Sequence, residues 1–221
     1  MYDSTNLTPP EKQSYSWNQV WITALTEPSV KSYEALIEDP KASVNRAVIW
    51  LFVSLSLPFF LVMLVGAMAG TASTDSNVSG ILVTLFCAPV LAAFYILNLA
   101  IRVGITHGIA KALGGEGQFG SLFYAFAAFE APLGILASVF SSIRILNCLV
   151  LFLGLYGLVL SVIATMAVYR LNTGRAIVAS FGLVVVLIGV AILLIFILAL
   201  LGPQIGSVFS EIRSTLGTPA P

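Results

Sequence analysis

AIVASFGLVVVLIGVAILLIFILALL, residues Ala176–Leu201, runs for 26 residues without a charged side chain, and Ser180 is its only polar one. As a helix rising 1.5 Å per residue it is about 39 Å long, more than the roughly 30 Å of a bilayer's hydrocarbon core. Four further stretches of 22 residues or more read the same way: Ala47–Gly70, Gly80–Val103, Ser121–Ser142 and Ile145–Tyr169. None alternates apolar with polar, and each is about twice the length of a barrel strand, so a membrane barrel is excluded. The sequence predicts an all-α membrane protein with five transmembrane helices behind a polar head.

Composition agrees. Charged residues are 9% of the chain and hydrophobic ones 58%, where a soluble domain carries about 25% charge. Net charge is zero, which gives no global field for nucleic acid. Cys87 and Cys148 both fall inside spans and read as small buried hydrophobes rather than a disulfide. No cleavable signal peptide is expected, because the first apolar block is too long for one.

Basic residues predict the orientation. Lys12, Lys31, Lys41, Arg46, Arg102, Lys111, Arg170 and Arg175 fall on one side, and only Arg144 and Arg213 on the other. Eight against two places the N-terminus in the cytoplasm and the C-terminus outside. The expected organisation is a disordered N-terminus over 1–16, a membrane domain over 17–202 and a short exterior tail over 203–221.

The head carries two short amphipathic helices. Ser16 with Gln19 fits a capping box, and Trp17, Val20, Trp21, Ala24 and Leu25 share one face. Pro28 opens the second, whose Val30, Tyr33, Leu36 and Ile37 share a face until Asp39-Pro40 ends it. Trp17 and Trp21 are candidate interfacial anchors in the headgroup layer; the alternative is that both helices pack on the ends of the bundle, since an apolar stripe does not name its partner.

The fifth span, almost free of polar groups, predicts heavy lipid exposure. The second and third carry Pro89, Asn98, Glu130 and Pro132 and predict contact with the bundle interior. Gly66/Gly70 and Gly104/Gly108 have GxxxG spacing, which fits close helix packing. Asn77-Val-Ser79 is a glycosylation sequon on the expected outer side. Gly115, Gly117 and Gly120 match G-x-G-x-x-G, but no strand precedes them, so they read as a hinge or tight turn rather than a nucleotide site. His107, the only histidine, has no neighbours at metal-ligand spacing, and Ser79 lies at the far end of the same span, too distant for a dyad. No catalytic set and no cofactor site is expected.

Glu130 is the most informative side chain. An ionised carboxylate near mid-bilayer costs roughly 2.5–3.5 kcal/mol, so it is expected to be neutral or partnered. It then bonds a carbonyl freed by Pro132, or Asn98, as polar glue between the second and third spans, or belongs to an ion or proton pathway. Arg102, at the end of the second span, and His107 just beyond it complete the candidate polar set.

At this point the chain resembles the Yip1-domain family, over about Trp17 to Gly202. The resemblance rests on Trp17-x-x-x-Trp21 followed by Pro28 and Tyr33, on His107-Gly-Ile-Ala-Lys-Ala-Leu-Gly-Gly-Glu-Gly-Gln-Phe119, on Pro132, and on Tyr169 with Arg175-Ala176. It implies five spans, a cytosolic N-terminus and a non-catalytic role in membrane organisation or trafficking through protein partners. Eukaryotic members bind small GTPases, but their Asp-Leu-Tyr-Gly-Pro element is missing here, where the head offers Thr26-Glu-Pro28; GTPase binding is therefore not expected. The short head looks more like prokaryotic members, which implies the cell inner membrane, with internal membranes as the alternative. Three functions follow: a scaffold or adaptor with membrane-protein partners or as a homo-oligomer; a small transporter or channel using Glu130 and the proline-broken spans; or an accessory subunit of a larger membrane complex.

Overall fold

A computed structural model describes residues 14–68, 74–141, 143 and 145–216, all as helices and their connections. Residues 1–13 of the expected N-terminal segment, Gly70 of the first GxxxG pair and Arg144 of the third turn lie outside the described residues. Seven helices follow in order: α1 (Trp17–Thr26), α2 (Val30–Ile37), α3 (Val44–Met68), α4 (Thr74–Ala112), α5 (Phe119–Ser141), α6 (Asn147–Tyr169) and α7 (Thr173–Leu216). The chain divides into two compact units between Ser180 and Phe181.

Among the described residues, four helical stretches are long and apolar enough to cross a membrane by length and composition: Ala88–Ala112, Phe119–Ser141, Asn147–Tyr169 and Val184–Arg213. The described apolar stretch of α3, Val44–Pro58, is shorter. The protein is an all-α, multi-pass membrane protein.

Helix ends depart from the apolar blocks in an informative way. α4 does not stop at Val103 but continues to Ala112, so half of the expected connection is helical and Arg102 lies ten residues inside the helix. The sequon Asn77-Val-Ser79 falls within α4 rather than in a loop. α7 passes Leu201 and Pro203 and reaches Leu216, so most of the expected tail is helical. In both places the helix runs on through poor helix formers, Gly104 and Gly108 in α4 and Gly202, Pro203 and Gly206 in α7, so the hydropathy block does not mark the helix length.

In the first unit α5 is the centre, in contact with α1, α2, α3, α4 and α6. Its residues Leu122 to Phe129 are all buried, as are Ala131, Pro132 and Leu133. A helix that is apolar all round and covered all round is a core helix. Ala125, Ala127, Ala128 and Ala131 keep it narrow enough for five neighbours to approach.

The head is part of this core. The Ser16 N–H donates to Gln19 Oε1 at 2.9 Å, completing the capping box. Ser29, not Pro28, caps α2, its Oγ accepting from Ser32 N at 3.1 Å. Val20, Ala24, Tyr33 and Leu36, one stripe from each helix, are fully buried. They pack on protein: α1 against α5, and α2 against α5 and α6. The Tyr33 ring stands edge-on to Phe129, with centroids 6.5 Å apart. Its hydroxyl donates to Ala24 O at 3.1 Å, and burial pushes that hydroxyl well above its ordinary pKa, so it remains a neutral donor. Tyr156 on α6 also donates to Leu25 O, tying the hairpin to the bundle.

The second unit, taken by itself, is the rest of α7. Every described side chain from Val184 to Phe209 is exposed. A lone helix whose most apolar 18-residue window within Val184–Arg213 has mean hydropathy 3.5 has no core of its own, so its apolar surface belongs in a hydrocarbon solvent.

Candidate functional site

Glu130 sits eleven residues into α5, facing α4. Its Oε1 accepts from Arg102 Nη2 in an ion pair. Its Oε2 accepts from the Tyr95 hydroxyl at 2.6 Å. Tyr95 and Arg102 are seven residues apart, two helical turns, and so lie on one face of α4. The guanidinium also rests on the Phe126 ring, 5.5 Å from its centroid, and Phe126 is one turn from Glu130. The carboxylate is thus partnered, but not by the groups expected. Asn98 is exposed on α4 and makes no bond to it, and Pro132 is buried on α5 without engaging it.

The physical reason is the length of α4. With the helix running to Ala112, Arg102 is not a terminal charge but an ionisable group in the interior of a stretch apolar enough to cross a membrane, Ala88–Ala112. Two opposite charges at one depth offset each other's desolvation, which neither does alone. Both carboxylate oxygens are used, so the Tyr95–Glu130–Arg102 set is closed toward the bundle. Arg102 Nε is buried without a partner, the one loose end.

A second cluster gathers the end of α4, the α4–α5 connection and the end of α6. Gly114, at φ +90°, ends α4. Its N–H bonds Lys111 O at 3.0 Å and the Gly115 N–H bonds Ala110 O at 2.9 Å, the paired bonds of a Schellman cap. Gly115 and Gly117 then lie against α6. A Cβ on Gly115 would stand 2.8 Å from the Tyr169 Cβ, and one on Gly117 would meet Val168 O and stand 2.7 Å from Val168 Cγ1. The G-x-G-x-x-G match is therefore a close-packed turn and neither a hinge nor a phosphate loop. His107, inside α4, shares a hydrogen bond between Nδ1 and the Tyr169 hydroxyl, with the Phe119 ring edge-on at 6.1 Å. The Arg175 guanidinium reaches Leu113 O at 3.4 Å. Residues far apart in sequence thus meet at one junction.

A third cluster locks the head. Asp39, 4% exposed, pairs with Arg46 Nη1 at 3.2 Å. It also accepts from Lys41 N at 2.9 Å and Tyr15 N at 3.3 Å. Arg46 Nη2 donates to Tyr15 O at 2.9 Å, and its guanidinium lies over Trp50 at 4.8 Å. Trp17 and Trp21 meet the same Trp50 edge-on, at 5.9 and 6.1 Å. Trp21 packs against the core, while Trp17 is 42% exposed.

Sequence reasoning missed Tyr95, Trp50 and the Asp39–Arg46 pair. Tyr95 was legible in principle from its i, i+7 relation to Arg102. Asp39 was masked by its role beside Pro40 as a helix stop, and Trp50 by the apolar block around it. Among the described residues no three His, Cys, Asp or Glu side chains group to hold a metal ion. Cys148 is a free, exposed thiol on α6 rather than a buried hydrophobe.

The family model for the Yip1 domain matches residues 22–206. No curated protein and no solved structure matches the chain. The matched range takes in α2 to α6, the His107–Tyr169 junction and most of α7, so the multi-pass architecture and the family assignment cover the same residues. The chain belongs to the Yip1-domain family, a family of non-catalytic membrane proteins.

Proposed function

We propose that the protein is a scaffold or adaptor in membrane organisation or trafficking, acting through protein partners or as a homo-oligomer. In this reading α3 to α7 are five crossings, the head lies on the cytoplasmic side and the C-terminus outside. The membrane is the cell inner membrane if the chain is prokaryotic. One observation carries the reading: the ionisable side chains that α4 and α5 bring together are spent on each other or on a neighbouring tyrosine. Glu130 is used by Arg102 and Tyr95, and His107 by Tyr169. Such groups hold helices together, whereas a conduction path needs ionisable groups in series.

The test is purification from native membranes in a mild detergent. A stoichiometric membrane-protein partner or a homo-oligomer is the expected result, and repeated recovery of a lone monomer overturns the reading. A transporter is the second reading, favoured by the third of the Arg102 side chain that stays exposed beside Glu130. It requires ion or solute flux in liposomes that Glu130→Gln abolishes.

A further inference from the structure

α7 does not end where its apolar run ends. Residues 184–201 form about 27 Å of helix, close to the roughly 30 Å of a hydrocarbon core. Counted from Ala176, the core is crossed sooner still. Residues 202–216 continue the same helix for about 22 Å more. The headgroup layer on each side of a bilayer is only roughly 5–8 Å deep, so most of that length, carried straight on, would stand in water.

Its sequence is not one for water. At 3.6 residues per turn, Ile205, Val208, Phe209 and Ile212 fall within one arc of about 100°, and Leu201 leads into the same arc. All five side chains are exposed. A groove of about 290 Å³ bounded by Leu201, Gln204, Ile205, Val208 and Phe209 lies along it. Ser207 and Glu211 fall outside the arc, and Arg213 falls at its edge. Residues 184–201 have no such sidedness, being apolar all round. Apolar on every side suits a crossing, and apolar on one narrow arc suits a helix at a surface.

The change of character falls on Gly202-Pro203. Pro203 lies inside the helix but has no N–H for Ala199 O, and its ring crowds that carbonyl, so helices bend at such a residue. A Cβ on Gly202 or Gly206 would meet nothing within 4 Å. Packing within the chain therefore requires neither glycine, and what they supply beside Pro203 is backbone freedom. A second copy of the chain is the rival occupant of the arc. The one-sided stretch spans fewer than two heptads, however, where a coiled coil needs about three or four. Lipid, which solvates the helix directly before the proline, is the continuous alternative.

We propose that residues 203–216 form an interfacial helix: α7 turns at Gly202-Pro203 and lies along the membrane surface. Ile205, Val208, Phe209 and Ile212 enter the boundary between headgroups and acyl chains, Ser207 and Glu211 face water, and Arg213 snorkels to the headgroups. This surface is independent of the scaffold reading, since it concerns lipid rather than protein partners.

Spin labels in liposomes test this, on single cysteines introduced where Cys87→Ala and Cys148→Ser have removed the native thiols. Labels on Val208→Cys and Ile212→Cys should meet dissolved oxygen and be shielded from a water-soluble nickel chelate. Labels on Ser207→Cys and Glu211→Cys should show the reverse, with chelate collision rates about fivefold higher or more. A steady rise in chelate access with residue number, blind to face, overturns the proposal and leaves a straight helix projecting from the membrane. High chelate access at all four positions overturns it in favour of a free tail. Exclusion of both reagents from positions 208 and 212, with spin–spin broadening, overturns it in favour of a second copy. The unaltered protein supplies a measurement that needs no cysteine replacement. In lipid nanodiscs, amide exchange over 204–216 should be at least about a hundredfold slower than in the same sequence as a free peptide in water, where so short a helix frays. Exchange at the peptide's rate overturns the interfacial helix whatever the labels report.

Discussion

α5 and α7 are both apolar on every side, yet α5 is enclosed by five neighbours while α7 from Val184 onward is exposed. The more hydrophobic helix is the exposed one: the most apolar 18-residue window has mean hydropathy 1.7 within Phe119–Ser141 and 3.5 within Val184–Arg213. In water that order would be perverse. In a bilayer it follows, because lipid tails solvate Leu, Ile and Val as well as a protein core does. What draws a helix inward is close approach and polar bonding. α5 has alanines that admit neighbours, rings that interdigitate and a carboxylate that needs a partner. α7 over residues 184–201 is mostly branched aliphatic, with two alanines, one ring and no charged group.

The sharpest way to break this comparison is the same truncation in both helices. Phe129, fully buried between α5 and the head, and Phe196, 59% exposed, are chemically identical. Phe129→Ala is expected to cost about 4 kcal/mol, the usual penalty for emptying a packed aromatic site. Phe196→Ala should cost under about 0.5 kcal/mol, as exposed positions do. Denaturant titration of the detergent-solubilised protein measures both, and equal losses would mean that α7 is packed as tightly as α5.

The next effect concerns the charge that α5 carries. Glu130→Leu leaves Arg102 uncompensated within the apolar layer and should destabilise by about 3 kcal/mol. Adding Arg102→Leu should recover most of that loss, since a buried pair exchanged for apolar side chains is close to neutral. A double variant as unstable as the single would show that Tyr95 or Phe126, rather than charge balance, holds α4 to α5.

A third effect is steric. Ala128→Leu puts three carbons where α5 has no free surface and should cost about 2 kcal/mol. The matching Ala191→Leu lies on the exposed part of α7 and should be silent. This pair tests the claim that small residues, not hydropathy, mark the core.

Much of this architecture was legible, and the missing part has a common cause. The capping box at Ser16 and the stripes of Val20, Ala24, Tyr33 and Leu36 announced the head helices, because local hydrogen bonds and periodicity are written in adjacent residues. What those stripes packed against was not, since a stripe reads the same toward lipid or protein. Glu130 stood out as a carboxylate in an apolar block, but its partner was misplaced. Arg102 sat at the edge of the hydropathy block, and only the packing of α4 on α5 brings it to Glu130. The Gly115/Gly117 pair was visible as a motif, but its meaning depended on Tyr169, some fifty residues away. Contacts between distant segments leave no periodic trace, and they make up most of the candidate sites.

The smallest expected effect lies where α7 itself changes character. Its first turn belongs to the first unit: Ala176 and Ala179 are fully buried, and Asn172 caps the helix, its Oδ1 accepting from Arg175 N at 3.0 Å. Removing that acceptor with Asn172→Ala should cost about 1 kcal/mol, and Asn172→Ser should restore most of it. Because the frayed turn also carries Arg175 away from Leu113 O, amide exchange should rise over residues 173–176 and at the end of α4. Exchange over 184–201 should stay unchanged, since those amides are bonded within a helix that does not depend on the cap. If the cap variant instead loosened the whole of α7, its exposed part would owe its helix to the first unit. The contrast with α5 would then be one of side-chain burial alone, not of independence.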